Sequence, residues 1–413
     1  MPDEIRPATA EEYADFIRTT FTAFGGAPTD EMIADNLING ELDRSLGALE
    51  GGRWVGAAGA FSFDMTLPGC TTAPVAGVTW VGVLPTHRRR GILTALMQRQ
   101  LDDVVARGEP MAVLTASEAL IYPRYGYGLA SQYAGIEVDT RRAALHVPVR
   151  DDGRLRLVDK EGAAKIQPPL FDAYRRTRPG ELSRNDRFWE VIFLDREHSR
   201  DGYSAHFHVV HETPVGEADG YARYRMKEEW DSSGPSSTVY VIEVVGADPE
   251  VEAALWRYLL ELDLIRTLKA ARRPLDDWLR WRLADSRAYK TTHIGDWLWV
   301  RPLDTAAALS ARRYASEGTL VLEVADAFRP DGAAAGRFRL DGSPAGATCV
   351  RVDAAGPDAD LSLDVVALGA AYLGGVSFRS LAEAGRVHAD AAALSRADAL
   401  FASTPLPYCS TPF

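Results

Sequence analysis

The sequence predicts an α/β (α+β) protein of several domains, and three observations carry that expectation. A short β-branched run, residues 78–83, feeds through a basic loop into an amphipathic helical pattern, residues 92–107. A second strand–helix pair, residues 239–245 then 247–261, repeats the pattern without the basic loop. From Asp304 onward, strand-like runs alternate with turns rich in Gly, Pro and Asp. A chain of 413 residues is also too long for one ordinary domain, and two or three are expected.

In chain order, residues 5–8 read as a strand. Thr9 with Glu12 forms a capping-box pattern that opens a helix through Tyr13, Phe16, Ile17, Thr20 and Phe24. Gly25-Gly26-Ala27-Pro28 breaks it, and a second helix is expected over 30–42. Residues 45–50, 53–62 and 72–83 read as strands divided by Gly51-Gly52 and Pro68-Gly69. Ile92, Leu93, Leu96, Met97, Leu101 and Val104 place one apolar stripe on the next helix, which Gly108 ends. Residues 111–116 are a further apolar strand, and 133–138 are expected to join the same sheet.

The loop before that helix, Pro85-Thr86-His87-Arg88-Arg89-Arg90-Gly91, suits an anion. Amide hydrogens at a helix N-terminus and the macrodipole favour negative charge, and Gly91 lets a phosphate approach the backbone. Arginines add forked donors. Three arginines alone would read first as a solvated loop; the strand, the glycine and the helix reverse that in favour of the anion site. These residues resemble the GNAT acyltransferases, whose pyrophosphate loop reads Arg/Gln-x-x-Gly-x-Gly/Ala, with Leu93 departing at the last small position. Within that superfamily, Val81-Gly82-Val83 and the loop are similar to the enhanced intracellular survival (Eis) branch. The resemblance implies tandem GNAT folds followed by a sterol-carrier-protein-like α+β domain, divided as 1–140, 141–302 and 303–413. Leu368-Gly369-Ala370-Ala371-Tyr372-Leu373-Gly374-Gly375 matches a stretch of that last domain, where residues 318–325, 336–340 and 347–352 read as strands and 363–373 and 378–385 as helices. The second domain is expected to lack a coenzyme site, because Asp248 and Glu250 at its helix start would cap the helix and repel pyrophosphate.

Composition narrows the partners. A net charge of -12 argues against nucleic-acid binding and makes the arginine loop a local exception. Three scattered cysteines (Cys70, Cys349, Cys409) imply neither a disulfide framework nor a metal site. With no signal-peptide core and no apolar run long enough to span a membrane, the expectation is a cytoplasmic protein without membrane contact. The resemblance adds acetyl-CoA as co-substrate, a small-molecule amine as substrate, and a homo-oligomer, the hexamer of the family.

The expected chemistry lies in two places. Ala116-Ser117-Glu118-Ala119-Leu120-Ile121-Tyr122-Pro123-Arg124-Tyr125-Gly126-Tyr127-Gly128 matches the Eis pattern Ala-Ser-Glu-x-x-Ile-Tyr-x-Arg-aromatic-Gly-Tyr-Gly. The family's proton donor corresponds to Tyr122, with Tyr127 as rival, and a phenol near pKa 10 is an adequate acid for a thiolate whose conjugate pKa is about 8.5. The C-terminal carboxylate, here that of Phe413, is the family's proton acceptor. The resemblance assigns coenzyme contacts to Val81, Gly82, Val83, Arg88, Arg89, Arg90, Gly91, Ile92, Leu93, Thr94, Ser117 and Glu118, and substrate contacts to Phe24 and Trp80. His87 receives no catalytic role. The resemblance also points to acetylation of aminoglycoside-type amines, at several positions. Ala23 and Pro412 stand where aminoglycoside-acetylating members carry acids; Asp30, Glu31 and Asp35 are the expected substitutes. Protein-lysine or polyamine acetylation, or coenzyme or lipid binding without turnover, stay open.

Overall fold

The computed structural model describes residues 2–353 and 356–413. Contacts gather them into two units: Met1–Ser131, Arg178–Ser183 and Asp296–Phe413 form one, and Gln132–Thr177 with Arg184–Gly295 the other.

The first unit opens with β1 (Glu4–Pro7), α1 (Tyr13–Ala23), α2 (Asp30–Asn39), β2 (Leu46–Glu50), β3 (Arg53–Thr66), β4 (Thr72–Val83), α3 (Ile92–Ala106), β5 (Met111–Thr115) and β6 (Gly128–Leu129). The capping box is half made. The Glu12 carboxylate accepts the Thr9 amide at 3.2 Å but is also forked by Arg6 at 2.6 and 2.7 Å, and the helix proper begins at Tyr13. Its buried stripe includes Tyr13, Phe16 and Ile17. α3 buries Ile92, Leu96, Met97, Leu101 and Val104, the expected face, and each such side chain contributes roughly 1.5–3 kcal/mol over exposure.

The second unit contains β7 (Gln132–Asp139), β8 (Arg154–Val158), α4 (Lys160–Arg175), α5 (Asp186–Leu194), β9 (Phe207–Glu212), β10 (Ala218–Lys227), a small hairpin of β11 (Trp230–Asp231) and β12 (Gly234–Pro235), β13 (Ser237–Gly246), α6 (Pro249–Leu260), β14 (Ile265–Arg273), α7 (Leu279–Arg282) and β15 (Tyr289–Asp296). Its seven-stranded sheet runs β15-β7-β14-β13-β10-β9-β8. The expectation that residues 133–138 join the first sheet is therefore corrected: β7 pairs with β14, Val138 opposite Leu268. Alternating apolar residues reveal a strand, but nothing local names its partner.

The slot beside β5 goes instead to β16 (Leu298–Pro302), which lies within the stretch expected to end the second domain. Leu298 stands opposite Thr115 and Pro302 opposite Met111, and all five residues are buried. The first sheet thus reads β1-β2-β3-β4-β5-β16-β6. The chain continues through α8 (Thr305–Ala311), β17 (Gly318–Ala325), β18 (Gly336–Ser343), β19 (Gly346–Val352), β20 (Leu361–Asp364), α9 (Val365–Ala371), α10 (Phe378–Glu383), β21 (Val387–His388) and α11 (Ala391–Phe401). The helix expected from 363 starts two residues late because Leu361–Asp364 pairs with β17, and Asp364 then caps α9 by accepting the Ala367 amide at 2.7 Å. A five-stranded sheet, β19-β18-β17-β20-β21, results.

This C-terminal part is seated on the first sheet by a glycine pair. A Cβ on Gly128 would lie 1.9 Å from the Val366 carbonyl oxygen, and one on Gly369 would lie 2.3 Å from that of Val300. Only hydrogen at both positions lets α9 meet β6 and β16 backbone to backbone. A fully buried ion pair, Arg301 to Asp326 at 2.6 Å, fastens β16 to the chain after β17. Among the described residues, no helix is long and apolar enough to cross a membrane.

Candidate active site

The site begins where a ladder ends. β4 and β5 run parallel from Val75/Met111 to Val78/Leu114, and their pairing then stops. On its other side β4 slips register against β3 between Ala57 and Gly59, and Trp80 adopts φ 53°. A bulky residue in the left-handed region is an outlier, and a bulge of this kind re-aims a strand. The ring of Trp80 is held edge-on by Tyr13, Phe16 and Phe61 at 5.0–6.4 Å between centroids. The β5-facing edge of Trp80–Val83 is left without a strand partner, so backbone amides there are free to meet a ligand.

Two cavities open from this gap. The outer one, of about 490 Å³, has Val81, Gly82 and Val83 along one wall. The loop and α3 contribute Arg88, Arg89, Gly91, Ile92, Leu93 and Thr94, and Ser117 and Glu118 close it from the end of β5. Gly91 is the residue before α3, at φ 80°, and puts no side-chain cap on the helix. The first-turn amides of α3 are thus open to an anion. Arg89 also lies in the left-handed region, at φ 60°. The Arg88 guanidinium donates to the Ala23 carbonyl at 3.0 Å, which ties the loop to the negative end of α1.

Arg90 stands apart from the rest of the expected set. Its guanidinium is forked onto Glu50, it does not line the cavity, and the same carboxylate lies 3.0 Å from His87 Nε2. The hydrogen bonds from Arg90 hold the Glu50 carboxyl below its ordinary range. Glu50 lies 40 residues upstream, and nothing in the triple arginine shows which member it will claim.

The inner cavity, of about 360 Å³, is walled by Thr20, Phe21 and Phe24 of α1, Asn36 of α2, and Val78–Val81 of β4. Thr115, Ser117, Tyr122 and Phe413 complete it. Four residues belong to both cavities: Phe24, Val81, Ser117 and Tyr122. Tyr122 starts a 3-10 turn, Tyr122–Tyr125, that Gly126 ends at φ 90°. The ring is 6% exposed and packs edge-on against Tyr127 at 6.0 Å. Burial, with Glu118 nearby, pushes its phenol up to about 12. Tyr127 is fully buried and lines neither cavity. Tyr125 lines the outer cavity, its hydroxyl 3.4 Å from that of Thr94.

Phe413 reaches the inner cavity because the tail is pinned on the way. Tyr408 donates its amide to the Pro179 carbonyl at 2.9 Å, and the Ser410 amide donates to both oxygens of the buried Glu181 at 3.0 Å. Cys409 and Thr411 are wholly buried. The Phe413 ring meets Phe63 edge-on at 5.4 Å, and its terminal oxygen accepts from Thr115 Oγ1 at 3.5 Å. Thr115, Phe21 and Asn36 are site residues that sequence reasoning missed. Thr115 carried one available signal, a hydroxyl at the end of an otherwise apolar strand.

Of the other residues singled out, Trp80 lines the inner cavity, whereas Ala23 lines the outer one, packed so that a Cβ on Gly82 would lie 2.8 Å from its methyl. None of Asp30, Glu31 and Asp35 lines the inner cavity, and Asp30 instead pairs with Arg18 at 3.5 Å on the surface. Among the described residues no cluster of His, Cys, Asp and Glu could hold a metal.

Comparison with known proteins agrees with this architecture. Residues 4–130 and 180–302 each match a model described as an acetyltransferase (GNAT) domain, and 305–410 match a sterol carrier protein domain. An N-acetyltransferase of Streptomyces avermitilis is 43% identical over 414 residues, covering 99% of both chains. N-acetyltransferase Eis of Mycobacterium tuberculosis is 34% identical over 365 residues, covering 86% of this chain and 85% of its own. The crystal structure of Eis1 from Mycobacterium abscessus superposes with a TM-score of 0.86 at 36% identity, over 99% of this chain and all of that one. A free helix N-terminus beside a splayed strand pair, in a chain this similar along its whole length, leads to one conclusion: the protein belongs to the Eis-like N-acetyltransferases of the GNAT superfamily.

Proposed function

We propose that this enzyme transfers the acetyl group of acetyl-CoA directly to a primary amine, with Tyr122 as acid and the Phe413 carboxylate as base. The single observation that supports the reading is the junction of two cavities at Tyr122, one bordered by a free helix N-terminus and one containing the chain's terminal carboxylate. The outer cavity fits the coenzyme: α3 amides, Arg88 and Arg89 for pyrophosphate, and the unpaired edge of Val81–Val83 for an amide-bearing arm. Acetyl-CoA supplies an activated carbonyl carbon and a sulfur that leaves as thiolate.

The Phe413 carboxylate takes a proton from the ammonium, and the freed nitrogen forms its bond to carbon as the carbon–sulfur bond breaks. Backbone amides near Val83 hold the charge that develops on oxygen. Tyr122 donates its proton to the departing sulfur, and the second proton that the nitrogen sheds as the amide forms restores the Tyr122 phenol. A phenol at about 12 facing a thiol near 8.5 would make full transfer uphill by roughly 5 kcal/mol, but the burial that raises the phenol also raises the thiol, so the gap narrows at the moment of transfer. An α-carboxylate near pKa 3.5 in water is a weak base, so a proton relayed through water serves this step as well as direct contact.

Aminoglycosides are the amines to which the family resemblance points, and a homo-hexamer is the assembly. The test is CoA release from acetyl-CoA with kanamycin-type aminoglycosides, polyamines and simple primary amines, with product masses read from the same tubes. Release with a gain of one acetyl unit or more on any of these amines supports the reading; tight acetyl-CoA binding without release to any of them overturns it.

A further inference from the structure

The inner cavity contains one anionic group. Its side chains come from Thr, Phe, Asn, Val, Trp, Ser and Tyr, with no aspartate, glutamate, lysine, arginine or histidine among the described residues that line it. The one charge is the carboxylate of Phe413. Two of the polar walls already spend donors inside their own helices: Thr20 Oγ1 donates to the Phe16 carbonyl at 3.1 Å, and Asn36 Nδ2 to that of Met32 at 2.7 Å. The apolar walls, by contrast, are wide. Phe21, Phe24 and Trp80 present rings, and Phe24 is 59% exposed, a large apolar surface left bare at the meeting of the two cavities.

We propose, on the basis of the acetyl-transfer reading above, that the preferred substrate is an arylalkylamine with a single positive charge rather than a polyamino sugar. One carboxylate balances one ammonium. Each further ammonium would enter a space whose walls offer it no counter-charge, and each sugar hydroxyl would exchange water for an aromatic wall. An aryl body does the reverse: it removes apolar surface from water and meets the edges and faces of three rings. Ala23 packs against Gly82, Pro412 is exposed, and neither supplies a charge to the cavity.

The test compares kcat/KM for 2-phenylethylamine and for kanamycin, by CoA release at one pH and ionic strength, in the wild type and in Asn36→Asp. Asn36→Asp adds a carboxylate to the cavity wall at constant shape, and far-ultraviolet circular dichroism checks its fold. The wild type is expected to prefer 2-phenylethylamine by at least tenfold. In Asn36→Asp the ratio should move at least tenfold toward kanamycin, the equivalent of one charge-assisted hydrogen bond. A second variant, Phe24→Ala, should raise KM for 2-phenylethylamine about tenfold, and by at least threefold more than it raises KM for kanamycin. Equal use or preference for kanamycin by the wild type overturns the proposal while leaving acetyl transfer intact, as does an unchanged ratio in a folded Asn36→Asp. Failure of every amine to release CoA overturns the acetyl-transfer reading itself, and this proposal with it.

Discussion

At the start of α3, Gly91 stands at φ 80° and gives the helix no side-chain cap; at the start of α6, Asp248 is extended and its carboxylate takes the amides of Glu250 and Val251 at 2.8 and 3.0 Å. The first junction carries no acid in its first helical turn. The second carries Glu250, clasped by Arg282 at 2.7 Å, and Glu252. Each follows a strand of a seven-stranded sheet, and each helix buries an apolar stripe, so as scaffolds they are alike. They differ in where the amide hydrogens of the first turn go. In α6 an aspartate carboxylate takes them; in α3 no side chain caps them. One kind of scaffold can therefore carry a helix start with free first-turn amides or one that caps itself, and the self-capped start gains stability from its carboxylate.

Five measurements would break or sharpen that contrast. The largest effect is expected from Gly91→Asp, which adds both the wrong backbone preference and the self-capping charge. Acetyl-CoA affinity by calorimetry should fall on the order of 10²–10³-fold, and an unchanged affinity would mean that the α3 N-terminus is not the anion site. Next, Tyr122→Phe should lower kcat on the order of 10²-fold while acetyl-CoA affinity stays within twofold, which separates the reaction from the binding junction. Arg88→Ala should raise KM for acetyl-CoA about tenfold, against less than threefold for Arg90→Ala, whose partner is Glu50. At the closed junction, Asp248→Ala should cost about 1 kcal/mol in urea unfolding with kcat/KM unchanged.

The smallest effect concerns pH. The folded-state pKa of Tyr122 is raised by burial to about 12, above the unfolded value near 10. Its contribution to stability is therefore complete below pH 10 and is lost as pH rises toward 12. Unfolding titrations of wild type and Tyr122→Phe should run parallel up to pH 10 and converge or cross above it. The kcat profile should show no descending limb from this phenol below pH 10.

Much of the contrast between junctions is local, and so it was legible. Arg-Arg-Arg-Gly before an apolar stripe, and Gly-Ala-Asp-Pro-Glu before another, are written within a dozen residues each. Tyr122 was legible through the pattern around it, and the structure adds that it borders both cavities. Phe413 was legible only through family resemblance, since a chain end carries no pattern of its own and its position depends on Glu181, Pro179 and Phe63. Arg90 shows the limit well. Arg88 and Arg90 are chemically identical, and only Glu50 and the Ala23 carbonyl, distant in the chain, tell them apart.

Taken alone, the sequence determined the features set by short-range sterics and periodicity: the strands and helices around each junction, the stop at Gly108, the anion-ready loop and the self-capped one. Tertiary structure decided what depends on long-range pairing. It put β16 rather than β7 beside β5, opened β4 at the Trp80 bulge, and turned Arg90 away. It also brought the last residue of the chain to Thr115 and left the inner cavity with one charge. The physical reason is that periodicity specifies which face of an element is buried, whereas the partner for that face is chosen by a competition among segments hundreds of residues apart.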